Sequence, residues 1–277
     1  MTSLSDADST LGPRPAGYSV VLECLSLQEQ AIPRSKLKRI LGFQPLHPDA
    51  INWFTGAIGE IQVGRLLNQL GPEWTVLHAV PVGIRGSDID HVLIGPVGVF
   101  TVNTKHHAGA RVWVSPRSIL VSGQKVDHLR NSRHEAARAS KLLTLATGES
   151  VTAHPLLVIF GAARVTIRQS PVDVTVLTSA QLVRWLRGRR RILDGASVEQ
   201  LAAAASKPST WSKVPDVVVD AAQMVTFADL RKQVDQARVR RLGWTALAML
   251  AFIAAVVQVA PVLVSGMFGL VSSMFAG

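Results

Sequence analysis

Between residues 86 and 105 the chain reads GSDIDHVLIGPVGVFTVNTK, and four polar side chains there fall at spacings that bring them together. Two alternating runs flank the turn Gly95-Pro-Val-Gly98, which predicts a hairpin in which Ile94 faces Val99. Counting back in that register sets Asp90 opposite Asn103 and Asp88 opposite Lys105. All four share one face because strand side chains alternate with period two, and directly opposed residues have Cβ atoms about 5 Å apart. Two carboxylates, an amide and an ammonium at that range suit a hard divalent cation such as Mg2+, which takes oxygen ligands from one or two carboxylates plus water and phosphate. Lys105 beside them could orient a water or stabilise charge developing on a phosphoryl oxygen. The same spacing also fits a solvated hairpin face with a single Asp88–Lys105 salt bridge.

The elements that hold these residues follow from hydropathy patterning. A helix is expected over residues 51–70, stopped by Gly71-Pro72. Trp53, Ala57, Glu60, Gly64 and Leu67 form one stripe along it, so Glu60 points where small and apolar neighbours point. Strands are expected at 74–82, 88–94, 99–105 and 111–114, and a second helix at 130–146. The apolar runs 156–160 and 172–177 read as buried strands. Ser179 is placed as the cap of a helix ending at Arg187, and Ser197 with Gln200 as a capping box for a short alanine-rich helix. This order predicts a mixed α/β fold, a central mixed β-sheet flanked by helices.

The ordered motifs resemble the nuclease-related domain, or NERD domain, a branch of the PD-(D/E)xK nuclease superfamily. The matching residues are Gly59-Glu60, Ile89-Asp90-His91 with Ile94-Gly-Pro96, Gly98-Val-Phe-Thr-Val-Asn-Thr-Lys105, Gly109, and His154-Pro-Leu-Leu-Val-Ile-Phe160. The resemblance covers roughly residues 52–180 and implies a restriction-endonuclease-like fold. It makes Glu60 the helix carboxylate, Asp90 the main metal ligand and Lys105 the catalytic lysine, with Mg2+ or Mn2+ as the cofactor. The family's usual Glu-x-Lys is here Asn103-Thr104-Lys105, so a neutral amide replaces a charged ligand, and cation affinity should fall. In the second helix Asn131-Ser-Arg-His-Glu-Ala136 resembles a family motif in which Gln commonly occupies the Glu135 position. Glu135 lies at the edge of the stripe Ser132, Ala136, Ala139 and Leu143. It is either a relocated metal ligand or an exposed helix residue paired with Arg138 or Arg130. His106 and His107, adjacent in a strand, face opposite ways and cannot both serve one metal without a bulge.

Charge and hydropathy set the wider organisation. Lys and Arg outnumber Asp and Glu by 29 to 19, and no charged residue occurs from Leu242 to Gly277. The positive excess therefore falls on residues 1–241, a surface suited to nucleic acid or an anionic leaflet. Arg187-Gly-Arg189-Arg190-Arg191 is its densest cluster, open to a phosphate contact or to a solvated or membrane-surface patch. Trp113 and Trp185 read as packing residues rather than stacking platforms. Residues 242–260, LGWTALAMLAFIAAVVQVA, have no polar face, and at about 1.5 Å per residue they nearly match a hydrocarbon core of about 30 Å. Trp244 suits the interfacial belt, with Leu247, Phe252 and Val256 facing lipid. The flank of Arg231, Lys232, Arg238, Arg240 and Arg241 then keeps the soluble part cytoplasmic by the positive-inside rule. Whether the tail after Pro261 spans again is left open by its length. Residues 1–50 read as a flexible lead-in without a signal-peptide pattern, 51–180 as the nuclease-related domain, 181–241 as a helical extension with a basic juxtamembrane helix, and 242–277 as the membrane segment. Cys24 is the only cysteine, so no intramolecular disulfide forms.

Three functions are compatible with these features. They are a membrane-anchored, Mg2+-dependent nuclease, a degenerate nucleic-acid-binding module, and a membrane scaffold whose hairpin face does no chemistry.

Overall fold

The computed structural model describes residues 14–82, 88–212 and 219–274. In chain order it holds α1 (Tyr18–Gln28), α2 (Lys36–Ile40), α3 (Ala50–Leu67), β1 (Thr75–Pro81), β2 (Asp88–Gly95), β3 (Gly98–His106), β4 (Arg111–Val114), β5 (Ile119–Val121) and β6 (Gln124–Val126). There follow α4 (His128–Thr147), β7 (Ala153–Phe160), β8 (Arg164–Ile167), β9 (Thr175–Thr178), α5 (Ser179–Arg187), α6 (Gly195–Ala205), α7 (Pro208–Trp211) and α8 (Ala221–Met274). These divide into two units, one of residues 1–27 and 48–224, the other of residues 28–47 and 225–277.

The first unit is built on a five-stranded sheet of order β1-β2-β3-β7-β9. Strands β1, β2 and β3 run antiparallel, while β3, β7 and β9 are parallel, which is the mixed sheet expected from the sequence. The hairpin register is as predicted, with Ile94 against Val99 and Gly95 against Gly98. Alternation then sorts the two faces. Leu93, Phe100, Val102, Leu156 and Val158 pack with Val63 and Leu67 of α3 and with Leu182 and Leu186 of α5. Val92, Ile94, Val99 and Ala153 pack with Ala139 and Leu143 of α4, and with Ala205 and Trp211 of α6 and α7. Each fully buried Leu, Ile or Val contributes about 1.5–3 kcal/mol, so these two layers fix which helix lies on which face.

Helix α3 comes unusually close to β3. A Cβ on Gly59 would lie 2.9 Å from His106 Cβ and 3.4 Å from Thr104 Cγ2, so only glycine lets the helix press against the strand at this point. That approach brings the next residue, Glu60, to the C-terminal end of β3.

Several expectations are corrected. A second sheet of order β6-β5-β4-β8 was not anticipated; of its strands only β4 was expected, at 111–114, while β5, β6 and β8 are three or four residues long, too short for a visible period. Residues 14–50 are not wholly a flexible lead-in. Helix α1 buries Tyr18, Val21, Cys24 and Leu25, and α2 has Ser35 as an N-cap accepting from the Lys38 N–H. Residues 1–13 lie outside the described part. The core also extends beyond residue 180, since Trp211 is buried and its indole donates to the Ala205 carbonyl at 2.6 Å. The caps shift as well. Thr178, with Gln181, caps α5, and Asp194, accepting from the Ser197 N–H, caps α6. In both cases the better-placed oxygen lies just upstream, in an extended residue.

In the second unit, α8 runs unbroken through Pro261 to Met274, so the tail does not turn back among the described residues. It is the one described helix long and apolar enough to cross a membrane by length and composition, and none of its apolar window is buried. Leu247, Phe252 and Val256 are exposed, as a lipid-facing surface requires.

Candidate active site

The turn-distal end of the β2–β3 hairpin gathers the polar residues singled out above. The ladder of paired residues ends at His91 and Val102, and one residue further the Asp90 carboxylate replaces the next backbone acceptor. Its Oδ2 accepts the Thr104 N–H at 2.6 Å, which locks the carboxylate over the strand end. Asn103 and Lys105 share the parity of Val99, the α4 face. There the Asn103 amide Nδ2 donates to Glu135 Oε1 at 2.5 Å. Glu135 is therefore neither exposed nor paired with Arg130, which instead joins Asp127 at 3.1 Å. Glu60 is 7 % exposed and feels the charges of Asp90, Lys105, Asp88 and Glu135. Glu60, Asp90, Asn103, Lys105 and Glu135 are thus brought together from separate elements.

Asp88 is placed differently. It faces Pro81 across β1, and no ion pair joins it to Lys105 among the described residues. Its partners are a hydrogen bond from Ser19 and the nearby charge of Arg14. Ser19 belongs to α1, and with Val20 and Glu23 that helix forms one wall of a cleft of about 190 Å3 whose other lining residues are Trp53, Glu60, Asp88 and Asp90. This wall is missed when the segment is read as a lead-in. The one available signal is the apolar spacing of Tyr18, Val21, Cys24 and Leu25.

Electrostatics mark the cleft as short of positive charge. Burial, then the charges of Asp90, Asp88 and Glu135, push the Glu60 carboxyl well above the usual range, against the pull of Lys105. Burial raises Asp90 too, opposed by Lys105 and the Thr104 N–H. Asp88 rises to about 6 through burial, and Glu135 to about 8 through burial and the charge of Asp90. Lys105 and, near Asp88, Arg14 are set against four carboxyls, which leaves an excess of negative potential. Asn103 Oδ1 and Glu135 Oε2 are also buried without a hydrogen-bond partner. An oxygen-only donor set with orphaned lone pairs fits a hard divalent cation. No group of three or more His, Cys, Asp or Glu side chains is arranged to hold a metal ion among the described residues, so binding requires these side chains to draw inward.

The two histidines after the lysine diverge as alternation predicts. His106 bonds the Thr55 carbonyl on α3 at 2.8 Å, whereas His107 meets His128 at the start of α4, Nε2 to Nε2 at 2.9 Å. Burial, then the charge of Lys105, holds both His107 and His128 below the usual imidazole range, His128 at about 4.

The arginine cluster is elsewhere. The N–H groups of Ile192 and Leu193 donate to the Pro96 carbonyl at 2.8 and 3.0 Å, which fixes the segment after α5 against the β2–β3 turn. Six residues of β3 separate Val99 from Lys105, roughly 20 Å at about 3.3 Å per residue. Arg187 donates to the Gln69 carbonyl, Arg189 lies over the Trp185 ring at 4.8 Å, and Arg190 and Arg191 are exposed. Trp185 packs edge-on against Phe100, the packing role expected of it, while Trp113 is 36 % exposed.

Comparison with known proteins agrees with the geometry. Residues 55–160 match the family model described as the nuclease-related domain, NERD. No curated protein and no solved structure matches the chain. The matched span runs from α3 to the end of β7 and contains Glu60, Asp90, Asn103, Lys105 and Glu135. The chain carries a nuclease-related domain over residues 55–160.

Proposed function

We propose that the protein is a membrane-anchored phosphodiesterase that hydrolyses DNA or RNA with Mg2+ or Mn2+. The observation that carries this reading is the crowding of Glu60, Asp90 and Glu135 around Lys105, with Asp88 near Asp90, each carboxyl pushed upward where a cation would relieve it. Asp90 and Glu60, with Asn103 Oδ1 and Glu135, would hold the cation. A divalent ion bound there supplies Lewis acidity at a phosphoryl oxygen and a water of lowered pKa. Lys105 donates to the phosphoryl oxygen on which negative charge develops. The Thr104 N–H keeps Asp90 in one rotamer, and Gly59 keeps Glu60 against the strand end. Glu135 keeps its proton near neutral pH without a cation, so binding of the ion displaces a proton.

A second reading, a nucleic-acid-binding module without hydrolysis, is favoured by one observation: the Asn103 amide contributes no charge and is already bonded to Glu135. The test is cleavage of DNA and of RNA by the full chain in detergent with millimolar Mg2+ or Mn2+. Cleavage lost in Asp90→Ala and in Lys105→Ala is expected. Absence of cleavage by both the parent and Asn103→Glu, with either nucleic acid, leaves the binding module.

The anchor is α8. Its basic flank supports a cytoplasmic position for the nuclease-related domain at the cell membrane, by the positive-inside rule. An N-terminal reporter with cytoplasmic behaviour is the expected readout; behaviour of the opposite compartment reverses the orientation.

A further inference from the structure

In the second unit, the short helix α2 and the residues beside it carry exposed apolar side chains. Ile32, Leu37, Ile40 and Phe43 are exposed by 90, 64, 55 and 53 %. Leu37 and Ile40 are three apart on α2 and so share one helix face, and Phe43 follows directly. Interleaved with them are Arg34, Lys36, Lys38 and Arg39, and no acidic residue occurs from Gln30 to Pro48. Solvated loops seldom combine apolar exposure of this size with charge of a single sign.

The position of α2 is fixed by α8. Its last carbonyls also accept from side chains of the long helix: Arg240 donates to the Arg39 carbonyl at 3.0 Å and the Trp244 indole to the Ile40 carbonyl at 2.9 Å. Gly42, at φ 76°, brings the chain so close to α8 that a Cβ would sit 2.5 Å from the Ala237 carbonyl oxygen and the Arg241 nitrogen. Arg34 closes the loop by donating to the Phe43 carbonyl at 2.8 Å. The attachment sites, Ala237 to Trp244, are where charge ends and the apolar segment begins. We infer that residues 32–43 form a second membrane element: a clip held against α8 at the bilayer boundary, with Leu37, Ile40 and Phe43 in the acyl-headgroup layer and Arg34, Lys36, Lys38 and Arg39 on anionic lipid phosphates. This rests on the reading that α8 crosses the bilayer. A nucleic acid would engage the cations but leave the apolar residues in water, whereas an anionic leaflet satisfies both.

The test uses the full chain with Cys24→Ala, reconstituted into vesicles of zwitterionic lipid and phosphatidylglycerol. Single spin labels are placed at Leu37→Cys, Phe43→Cys, Glu29→Cys and Leu250→Cys, all at exposed side chains that a label disturbs little. Collision with oxygen is compared with collision with a water-soluble nickel chelate. The labels at 37 and 43 should be oxygen-accessible and shielded from nickel, as at 250, while the label at 29 stays nickel-accessible. Nickel access at 37 and 43 equal to that at 29, with 250 shielded, overturns the clip and leaves the anchor standing. Nickel access at 250 overturns the spanning reading itself, and the clip with it. Shielding of 37 and 43 that appears only on adding nucleic acid also overturns the lipid assignment.

Discussion

The two ends of the central sheet were both legible as charged clusters, yet they are built in opposite ways. At the strand-end side, Glu60, Asp90, Asn103, Lys105 and Glu135 come from α3, β2, β3 and α4, and two of their oxygens, Asn103 Oδ1 and Glu135 Oε2, are buried without a hydrogen-bond partner. At the turn side, Arg187, Arg189, Arg190 and Arg191 are consecutive or nearly so, exposed, and partly engaged by Gln69 and Trp185. A dense run of charge is cheap to place on a surface. A cluster assembled from distant segments, with desolvated carboxyls at its centre, is costly and calls for a chemical reason.

The comparison is sharpened most by substitutions at the strand end. Asp90→Ala and Lys105→Ala should each lower cleavage by about a hundredfold to a thousandfold or more, the scale of removing one electrostatic interaction with a transition state. The triple Arg189→Ala, Arg190→Ala, Arg191→Ala variant should leave the single-turnover rate at saturating substrate within about twofold of the parent. Equal losses at both ends would merge the two clusters into one site.

Gly59→Val tests the helix approach that delivers Glu60. The added Cβ meets His106 Cβ at 2.9 Å, and overpacking of this kind costs about 1–3 kcal/mol in thermal or denaturant unfolding. An unchanged melting temperature would mean that α3 does not depend on this close approach.

Glu135→Gln gives a pH-dependent effect on stability. Its folded-state carboxyl is raised to about 8 from an ordinary 4.5, so its contribution to stability is fully present below about pH 4.5 and is lost as pH rises toward 8. The glutamine keeps an acceptor for the Asn103 amide and removes that loss. Without divalent cation, the variant's advantage over the parent should be absent below about pH 4.5 and grow by up to about 1.4 kcal/mol per pH unit as pH rises toward 8. A difference independent of pH would count against the raised carboxyl.

The smallest effect belongs to the arginines. If they touch phosphate, the triple substitution lowers the slope of log affinity against log salt by about 0.9 for each duplex phosphate that is no longer neutralised. No change in slope assigns them to the solvated or lipid-facing surface.

Sequence legibility divided along similar lines. The hairpin register followed from one turn, Gly95-Pro-Val-Gly98, because a two-residue loop sets the pairs from Gly95–Gly98 back to His91–Val102, and the burial of Glu60 followed from its stripe. The partner of Glu135 did not follow, since helix periodicity gives a face but not what lies opposite it. Nor did α1, whose Ser19 and Glu23 line the cleft, because the Gly-Pro-Arg-Pro-Ala-Gly stretch before it resembles linker. The place of the arginines along the sheet depended on two hydrogen bonds to Pro96, which no local pattern encodes.

The most direct test is calorimetric titration of the full chain in detergent with Mn2+, repeated in two buffers of different ionisation enthalpy. The expected result is one site at the strand end, with proton release carried by Glu135, lost in Asp90→Ala and tighter in Asn103→Glu. Absence of saturable binding in both the parent and Asn103→Glu, or binding unchanged by Asp90→Ala, would contradict the assignment of this end of the sheet as a divalent-cation site.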